Sequence, residues 1–171
     1  MDLKKFKKTD VEILKDNPFK LMDKDWMLIT AGTLDSFNAM TASWGGVGVL
    51  WNKKVAFCFV RPTRYTYQFM EKYEFFTLTF FKEEFREILN LCGEKSGRDT
   101  DKTKETGLKP LKSPNNSIYF EQARLVFECK KIYCDGIKPE LFLDDKIHKA
   151  YLLKDYHRMY IGEILNCLVS E

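Results

Sequence analysis

The sequence predicts a mainly β domain, an antiparallel barrel or sandwich with two or three flanking helices. Four short strand-like runs follow one another closely from residue 26, and Gly, Asp-Ser and Asn-Lys-Lys turn signals divide them. A further run, FFTLTFF at residues 75–81, alternates Phe and Leu with Thr, as a half-buried strand does. Strands spaced this closely favour an antiparallel barrel or sandwich over a doubly wound parallel sheet.

The composition limits the number of domains and the classes of partner. A chain of 171 residues with 44% hydrophobic content is long enough to bury one substantial core. We therefore expect a single domain over residues 1–171, with residues 1–20 as an N-terminal arm. The net charge is only +3 and the excess Lys lies mostly in the first eight residues, so we expect a solvated arm and no nucleic-acid partner.

The cysteines and the hydropathy pattern indicate where the protein works. The five cysteines are odd in number and form no CxxC pair, and we find no signal peptide in front of them. These features predict reduced thiols in the cytoplasm and argue against a metal site. No apolar run approaches the roughly 20 residues of a membrane-spanning helix, so we expect no membrane partner.

The first half of the chain contains four predicted strands and one helix. In the segment after the strands, Tyr65, Phe69 and Tyr73 lie four residues apart, which is the spacing of one helix face. Thr63 follows Pro62 at the start of this segment, so we expect Thr63 to be the N-cap. The four strands correspond to the runs WMLITAG, FNAMTASW, VGVLW and VAFCFV.

The second half contains the strand FFTLTFF, another helix and two later strand regions. The run KEEFREILNLCG is amphipathic, and Gly93 is its expected C-terminal stop. Residues 94–107 contain no hydrophobic residue, which predicts a solvated loop. Strand character returns at residues 118–134, where alternate residues form one apolar face and Glu128 points to the opposite face. A last strand is predicted at residues 158–169.

The strand FNAMTASW carries side chains that are unusually small for a core strand. A strand that only fills a core is expected to offer larger branched residues at Met40, Thr41 and Ala42. Small side chains leave the backbone open to a group that lies close to it. With an aromatic residue at either end, the stretch suits a flat heteroaromatic ring.

Two polar stretches contain the groups that bind anions. RPTRYT, at residues 61–66, supplies two Arg, two Thr and a Tyr at the predicted junction of a strand and a helix. SGRDTDK, at residues 96–102, adds Ser96, Arg98 and Lys102. The alternatives are an ordinary capped helix start with surface arginines and a generic polar loop. A flat ring with a phosphate tail, such as FMN, suits the three stretches together.

Five motifs in succession resemble those of a known family. NAMTASW, RPTRYTY, CGEKSGRDTDK, EQARLVFECK and HRMYIGEI look like the motifs of the flavin reductase-like, FMN-binding split-barrel family, which includes the flavoredoxins. The resemblance runs from about Trp26 to Ile164. It implies a six-stranded antiparallel Greek-key split β-barrel with a few flanking α-helices, a homodimer, and FMN bound non-covalently near the dimer interface. A partner subunit or the N-terminal arm is expected to close the pocket.

The resemblance also implies which residues bind the cofactor. The isoalloxazine ring and ribityl chain would lie, largely on strand backbone, against Asn38, Met40, Thr41, Ala42, Ser43 and Trp44. The phosphate or ribityl end would be held by Arg61, Thr63, Arg64, Tyr65 and Thr66, with Lys102 reaching the same region. Small residues in the strand would thus let the ring approach.

The sequence identifies no catalytic residue, because the flavin itself carries the chemistry. One candidate is His157, at the place of a His that forms an Asp-His pair in many relatives. Here Tyr156 precedes it, so the alternative is a structural role.

We expect an FMN-dependent oxidoreductase that transfers hydride or electrons from NAD(P)H through bound FMN to an acceptor. One alternative is a flavoredoxin-type electron carrier that exchanges electrons with a redox protein partner and lacks direct NAD(P)H activity. Another is a binding module without a redox role. Other enzyme classes lack support, because the chain has no HExxH, P-loop or GxSxG motif and GGVG lacks the context of a dinucleotide fingerprint.

Overall fold

The computed structural model describes residues 6–171, and an antiparallel sheet of eight strands dominates it. Seven strands follow the order β3-β2-β6-β9-β10-β5-β4, and β1 pairs with β10 beside this path. Strands β7 and β8 form a separate two-stranded sheet. The strands are β1 (Phe6–Thr9), β2 (Met27–Thr33), β3 (Ser36–Ala42), β4 (Gly45–Leu50), β5 (Lys53–Val60), β6 (Phe75–Phe80), β7 (Pro110–Lys112), β8 (Ile118–Phe120), β9 (Leu125–Gly136) and β10 (Arg158–Ser170).

The connection between β3 and β4 explains why the sheet forms a split barrel. These strands stand at opposite ends of the strand order, yet only residues 43–44 separate them in the chain. The sheet must therefore curl until its two edges come close, although β3 and β4 do not pair with each other. The predicted mainly β, antiparallel class is confirmed. The count of six strands was too low for the described residues, which form ten; β1, β7 and the division of one long predicted strand were not foreseen.

Three α-helices and several shorter helical turns surround the sheet. The α-helices are α1 (Thr66–Lys72), α2 (Arg86–Glu94) and α3 (Lys102–Thr106). The other helical segments of the described residues are a π-helix at Lys20–Asp25 and 3-10 helices at Val11–Ile13, Glu83–Phe85, Pro139–Leu141 and Asp145–Tyr151. None of the helices within residues 6–171 combines the length and the apolar character that a bilayer span requires.

The helix boundaries correct three predictions. Helix α1 begins at Thr66 after a turn in which the Arg64 N–H donates to the Arg61 carbonyl, so Thr63 is not its N-cap. Gly93 lies inside α2 rather than ending it, because the backbone continues to Glu94 in helical geometry. Residues 94–107 are not only a solvated loop, since they contain α3 and the buried Lys102.

The strands predicted at the centre of the sheet are confirmed, except that one of them is divided into two. The run at residues 118–134 splits into β8 and β9, because the Ala123 N–H donates to the Phe120 carbonyl and turns the chain between them. Strand β2 is buried on both faces: Met27 and Ile29 belong to the apolar cluster on one face and Leu28 to the cluster on the other. A strand that is buried on both faces has a nearly continuous run of apolar residues in its sequence.

Residues 6–9 of the N-terminal arm form a strand of the sheet. Residues 6–9 form β1, which pairs with the end of β10 in the register Phe6↔Ser170 to Thr9↔Cys167. The expectation of a solvated arm is met by the exposed Lys7 and Lys8 but not by Phe6, which packs against Tyr119 with ring centroids 5.0 Å apart. The part of that expectation that concerns residues 1–5 lies outside the described residues.

Glu128 lies on the face of β9 opposite Leu125, Phe127 and Cys129, as the alternation predicts, but this second face is covered as well and Glu128 is fully buried. Its carboxylate accepts hydrogen bonds from the Asn115 backbone N–H at 2.8 Å, the Asn115 side chain at 2.9 Å and the Asn166 side chain at 2.6 Å. The Ser113 hydroxyl is a fourth donor. The turn between β7 and β8 covers this face of β9, and Glu128 ties that turn to the sheet.

We predict that Glu128→Ala strongly destabilises the protein, because it leaves several buried donors without an acceptor. The free energy of unfolding should fall by about 3 kcal/mol, measured by urea unfolding. The matched control is Glu163→Ala, which removes a partly exposed carboxylate whose partner is Lys53 at 2.7 Å. That change should cost less than about 1 kcal/mol. Equal losses in the two variants would contradict the anchoring role of Glu128.

Candidate functional site

Three adjoining cavities lie around β3. The first, which we call the strand cavity, has a volume of about 320 Å³ and is lined by residues 40–44, Phe59, Arg61, Arg64, Gly93 and His157. The second, the bridging cleft, has about 90 Å³ and is lined by Asn38, Met40, residues 63–66, residues 94–97 and Lys102. The third, the loop cavity, has about 630 Å³ and is lined by residues 34–39, Tyr65, Phe69, Cys92, residues 97–103, Leu108, Pro110 and Phe120.

The cavities share walls. Met40 and Arg64 line both the strand cavity and the bridging cleft. Asn38, Tyr65 and Lys102 line both the bridging cleft and the loop cavity. The three spaces therefore form a row along β3, with the bridging cleft in the middle.

The structure brings together all twelve residues that the sequence predicts to bind a cofactor. The strand cavity is lined by Met40, Thr41, Ala42, Ser43, Trp44, Arg61 and Arg64. The bridging cleft adds Asn38, Thr63, Tyr65, Thr66 and Lys102. Residues from three separate parts of the sequence thus meet at one place, and their role in binding stays a prediction.

Strand β3 offers both an open backbone edge and small side chains. It is an end strand of the main sheet, so only one of its edges is hydrogen-bonded to a neighbouring strand, β2. Its small side chains also serve helix packing, which was not foreseen. The Thr41 hydroxyl donates to the Leu89 carbonyl of α2, and a Cβ on Gly93 would lie 3.4 Å from the Cβ of Thr41.

The C-terminal end of α2 is held by two cations. The last carbonyl groups of a helix lack partners within the helix and carry partial negative charge. Here the Gly93 carbonyl accepts from the Arg64 guanidinium at 2.6 Å, and the Cys92 carbonyl accepts from the Lys102 ammonium at 2.8 Å. The pKa of Arg64 is lowered, mainly by burial and also by the nearby charge of Arg61.

Lys102 is a buried cation at the centre of the row of cavities. Its ammonium donates to the Ala39 carbonyl of β3 at 2.8 Å as well as to Cys92, and an ammonium has a third N–H to offer. Only 8% of the residue is exposed. Burial lowers the pKa of Lys102 from 10.5 to about 8, because the charged form is costly to desolvate.

Asn38 and Gly97 form the partition between the bridging cleft and the loop cavity. The Asn38 amide donates to the Thr66 hydroxyl at 2.7 Å. A Cβ at position 97 would lie 1.9 Å from Oδ1 of Asn38, so only glycine allows the loop to approach this closely. We ascribe the glycine to this contact, since its φ lies outside the left-handed region and no unusual turn requires it.

Arg61 is paired with a segment that the sequence did not connect to it. Its guanidinium donates to Asp155 at 2.6 Å and to the Ala150 carbonyl at 3.0 Å, and it lies 5.1 Å from the centre of the Tyr151 ring. Arg61 lines the strand cavity, whereas Arg64 and Lys102 line the bridging cleft. The two arginines of RPTRYT therefore have different surroundings.

His157 is held in a fixed orientation beside Trp44. Its Nδ1 lies 2.9 Å from the Tyr151 hydroxyl, and its ring centre is 5.0 Å from that of Trp44. Burial, together with the charge of Arg61, lowers the pKa of His157 to about 4. The imidazole is therefore neutral at pH 7. The residue immediately before it in the chain is Tyr156 rather than Asp.

Sequence reasoning missed Tyr151, Asp155 and Phe59. Asp155 stands two positions before His157, which was a visible signal, but its partner is Arg61 rather than the histidine. Tyr151 gave no signal, because it lies in an irregular segment between two strands. The described residues of the N-terminal arm, 6–20, line neither the strand cavity nor the bridging cleft, so the expectation that the arm closes the pocket is not met by them.

Comparison with known proteins gives both a family match and structural neighbours. A family model described as a flavin reductase like domain matches residues 20–171. An FMN-binding domain of a flavin reductases-like enzyme from Shewanella baltica has a TM-score of 0.71 at 13% identity, over 99% of this chain and 79% of that chain. The flavoredoxin of Desulfovibrio vulgaris has a TM-score of 0.68 at 21% identity, over 96% of this chain and 78% of that chain.

A third neighbour is a flavoredoxin from Methanosarcina acetivorans. Its TM-score is 0.65 at 17% identity, over 84% of this chain and 67% of that chain. Structural likeness at these identities shows a shared fold. The comparison with curated proteins found no match.

We predict a pH-dependent contribution of Lys102 to stability. Between about pH 8 and 10.5 the unfolded chain keeps a proton that the folded protein has released, so rising pH favours folding. Relative to Lys102→Met, the wild type should therefore gain roughly 3 kcal/mol of unfolding free energy across this range. The control is Lys104→Met, which removes an exposed lysine of the same helix and should leave the difference flat. A flat difference for Lys102→Met would contradict the lowered pKa.

Proposed function

We propose that this chain, which belongs to the flavin reductase-like domain family, binds FMN non-covalently and transfers hydride or electrons from NAD(P)H through it to an acceptor. The observation that carries the proposal is the meeting of all twelve predicted residues around the strand cavity and the bridging cleft. The family match supports a flavin as the ligand. The geometry supports the place where it binds.

The residues present fit FMN. The strand cavity has one wall of strand backbone from an end strand and another of aromatic rings, which suits a flat ring with a polar edge. The bridging cleft has Arg64 and Lys102 as cations and Ser96 and Thr63 as hydroxyl donors, which suits a phosphate. The two spaces meet at Met40 and Arg64, so one ligand can occupy both.

FMN, when bound, supplies the hydride and electron transfer, and the protein supplies position and surroundings. Arg64 and Lys102 are already oriented by the α2 carbonyls, so they would hold the phosphate without reorganising. Trp44 and the buried His157 form the aromatic wall of the strand cavity, with ring centres 5.0 Å apart. A neutral His157 adds no charge there and contributes through hydrogen bonding and packing.

The second candidate function is that of an FMN electron carrier without direct NAD(P)H activity. Two structural neighbours are flavoredoxins, and this likeness favours the alternative. Trp44 is 48% exposed at the strand cavity, so a redox protein could approach closely there. A third candidate, a binding or interaction module without redox chemistry, would require the two stretches RPTRYT and SGRDTDK to have no role in phosphate binding.

The deciding experiment is an absorbance spectrum of the purified protein, followed by anaerobic addition of NADH or NADPH. We expect flavin bands that bleach rapidly on addition. Bands that persist with both nucleotides but bleach with a reduced redox protein would identify the electron carrier instead. A colourless protein that fails to bind added FMN would refute both flavin functions.

Two arginine variants locate the flavin. Arg64→Ala should weaken FMN binding by about tenfold to a hundredfold, measured by fluorescence titration of the apoprotein, because it removes a phosphate cation. Arg86→Ala is the control, since Arg86 lies over the Trp26 ring at 4.2 Å and lines neither the strand cavity nor the bridging cleft. An equal effect of both changes would place the flavin elsewhere.

We further propose that the protein is a homodimer that works in the cytoplasm. Four large apolar residues in or near β4 and β9 are exposed, Trp44, Val49, Trp51 and Tyr133, and the rings of Trp51 and Tyr133 lie 6.3 Å apart; we call these four residues the apolar face. Exposed apolar surface of this kind marks interaction sites, and a symmetric dimer buries the same surface on both subunits. Trp44 lies in both the face and the strand cavity, so a second copy would also cover the site. The five free cysteines support a reducing compartment.

Substitution of the apolar face tests the dimer. Val49 is 76% exposed, so Val49→Asp should leave the monomer folded but place two desolvated charges in a symmetric interface. We expect the mass in sedimentation velocity to halve. Leu143→Asp is the matched control, because Leu143 is also exposed but lies in the segment between β9 and β10. A wild-type protein that sediments as a monomer would refute the proposal.

A further inference from the structure

His157 presents to the strand cavity a ring nitrogen that has no protein partner. Only 9% of the residue is exposed, and it lines this cavity. Its Nδ1 is hydrogen-bonded to the Tyr151 hydroxyl, so Nε2 is the ring nitrogen that remains. Within residues 6–171, Nε2 has no hydrogen-bond partner, and it is not among the atoms that are both buried and unpaired. Nε2 is therefore accessible, and the strand cavity is the space into which it opens.

The hydrogen bond between Tyr151 and His157 indicates which ring nitrogen carries the proton. A neutral imidazole has one N–H, on either Nδ1 or Nε2. Tyr151 is 5% exposed, and burial raises the pKa of its phenol, which therefore keeps its proton at pH 7. A buried hydroxyl proton needs an acceptor, and among the described residues the acceptor bonded to it is Nδ1. Tyr151 thus donates, Nδ1 accepts, and the proton of the imidazole lies on Nε2.

Three aromatic rings hold the plane of the imidazole. The centre of the imidazole lies 5.0 Å from that of Trp44, 5.5 Å from that of Tyr151 and 6.3 Å from that of Phe59. Such packing fixes the plane of a ring but not its direction, because a half-turn about the bond to Cβ exchanges ring nitrogens with ring carbons at almost constant shape. The hydrogen bond to Tyr151 distinguishes the two directions.

Tyr151 is itself held in place by Arg61. The Arg61 guanidinium lies 5.1 Å from the centre of the Tyr151 ring and donates to the Ala150 carbonyl at 3.0 Å and to Asp155 at 2.6 Å. These contacts join the chain on both sides of Tyr151 to the end of β5. The orientation of His157 therefore depends on Tyr151, and the position of Tyr151 depends on Arg61.

A neutral N–H donor suits an acceptor atom on a ring better than it suits a phosphate. A hydrogen bond becomes stronger when its acceptor gains negative charge. The polar edge of a flavin carries acceptor atoms, and these atoms gain electron density when the flavin is reduced. A donor at that edge therefore favours the reduced form and raises the reduction potential.

We propose that Tyr151 is a positioning residue: it fixes His157 so that a neutral Nε2–H faces the strand cavity and donates to an acceptor atom of the bound flavin ring. The contact with the flavin rests on the proposed function, whereas the arrangement of Tyr151 and His157 does not. The residue that orients this histidine thus stands six positions before it in the chain.

The first measurement is nitrogen NMR of the apoprotein with isotope-labelled histidine at pH 7. We expect the His157 proton on Nε2, and Nδ1 should show the shift of a hydrogen-bond acceptor. Tyr151→Phe should abolish that shift, because it removes the donor and keeps the ring. Tyr156→Phe is the matched control, since its ring lies 4.9 Å from that of Tyr151 but its hydroxyl is not bonded to Nδ1. The exposed His148 provides an internal reference.

The second measurement is the reduction potential of bound FMN, titrated anaerobically against reference dyes. His157→Phe removes the donor and should weaken the binding of reduced relative to oxidised FMN by about tenfold, which lowers the potential of this two-electron couple by about 30 mV. His157→Gln keeps an N–H donor and should restore most of the difference. Tyr151→Phe should change the same ratio by about threefold in the wild type, and should change nothing in the His157→Phe background.

Three results would overturn the proposal. A proton on Nδ1 in the wild type would contradict the orientation of His157. A potential that His157→Phe leaves unchanged would show that Nε2 does not meet the flavin. An effect of Tyr151→Phe that persists in the His157→Phe background would show that Tyr151 does not act through His157.

Failure of the proposed function gives a different result. An apoprotein that binds no flavin would refute the FMN function and with it the flavin contact. The NMR measurement would still decide whether Tyr151 orients His157.

Discussion

The ammonium group of Lys102 is the contact on which the arrangement of the candidate site depends. It comes from α3 and joins the Ala39 carbonyl of β3 to the Cys92 carbonyl at the end of α2. Each of these three elements lines at least one of the cavities, and the same side chain lines two of them. A buried ammonium bonded only to neutral carbonyls is costly in free energy, and its lowered pKa expresses that cost.

The same principle applies to Arg64. Its guanidinium lies on the Gly93 carbonyl, so the end of α2 holds two cations side by side before any anion arrives. Ordering long side chains is a large part of the cost of binding an anion at a protein surface. Here the helix end has already ordered them, and the packing of α2 on β3 through Thr41 keeps the helix end in place. The small residues of β3 thus allow the close approach of the helix and also line the strand cavity.

The sheet could be predicted from the sequence because its signals are local, whereas the missed features depend on partners far along the chain. Alternation and turn residues identify β2 to β6 and β10 without knowledge of the rest. Arg61 looked like a phosphate ligand because its neighbours are Thr and Arg, but its partner Asp155 is 94 residues away. The burial of Glu128 was not foreseen, because the pattern of a strand does not reveal that another turn will cover its second face. Helix α3 was missed because its segment contains no hydrophobic residue. The buried side chain of this helix is that of Lys102, and a hydropathy pattern does not predict its burial. The site residues were assembled from motif resemblance, since only the fold shows that the three stretches meet.

The segment between β9 and β10 affects how proteins with such a fold can diverge in sequence. The two strands are paired up to Arg158↔Gly136, and the Ile137 N–H still donates to the His157 carbonyl at 2.8 Å. The ends of the segment are thus held as in a hairpin. The entropic cost of closing a loop grows only with the logarithm of the loop length. Residues 138–156 can therefore be lengthened, shortened or exchanged at little cost to the barrel. The same residues bring Tyr151 to His157 and Asp155 to Arg61 at the wall of the strand cavity. Evolution can therefore alter what approaches the site by exchanging one contiguous piece of chain, while the sheet and the cations of the bridging cleft stay as they are.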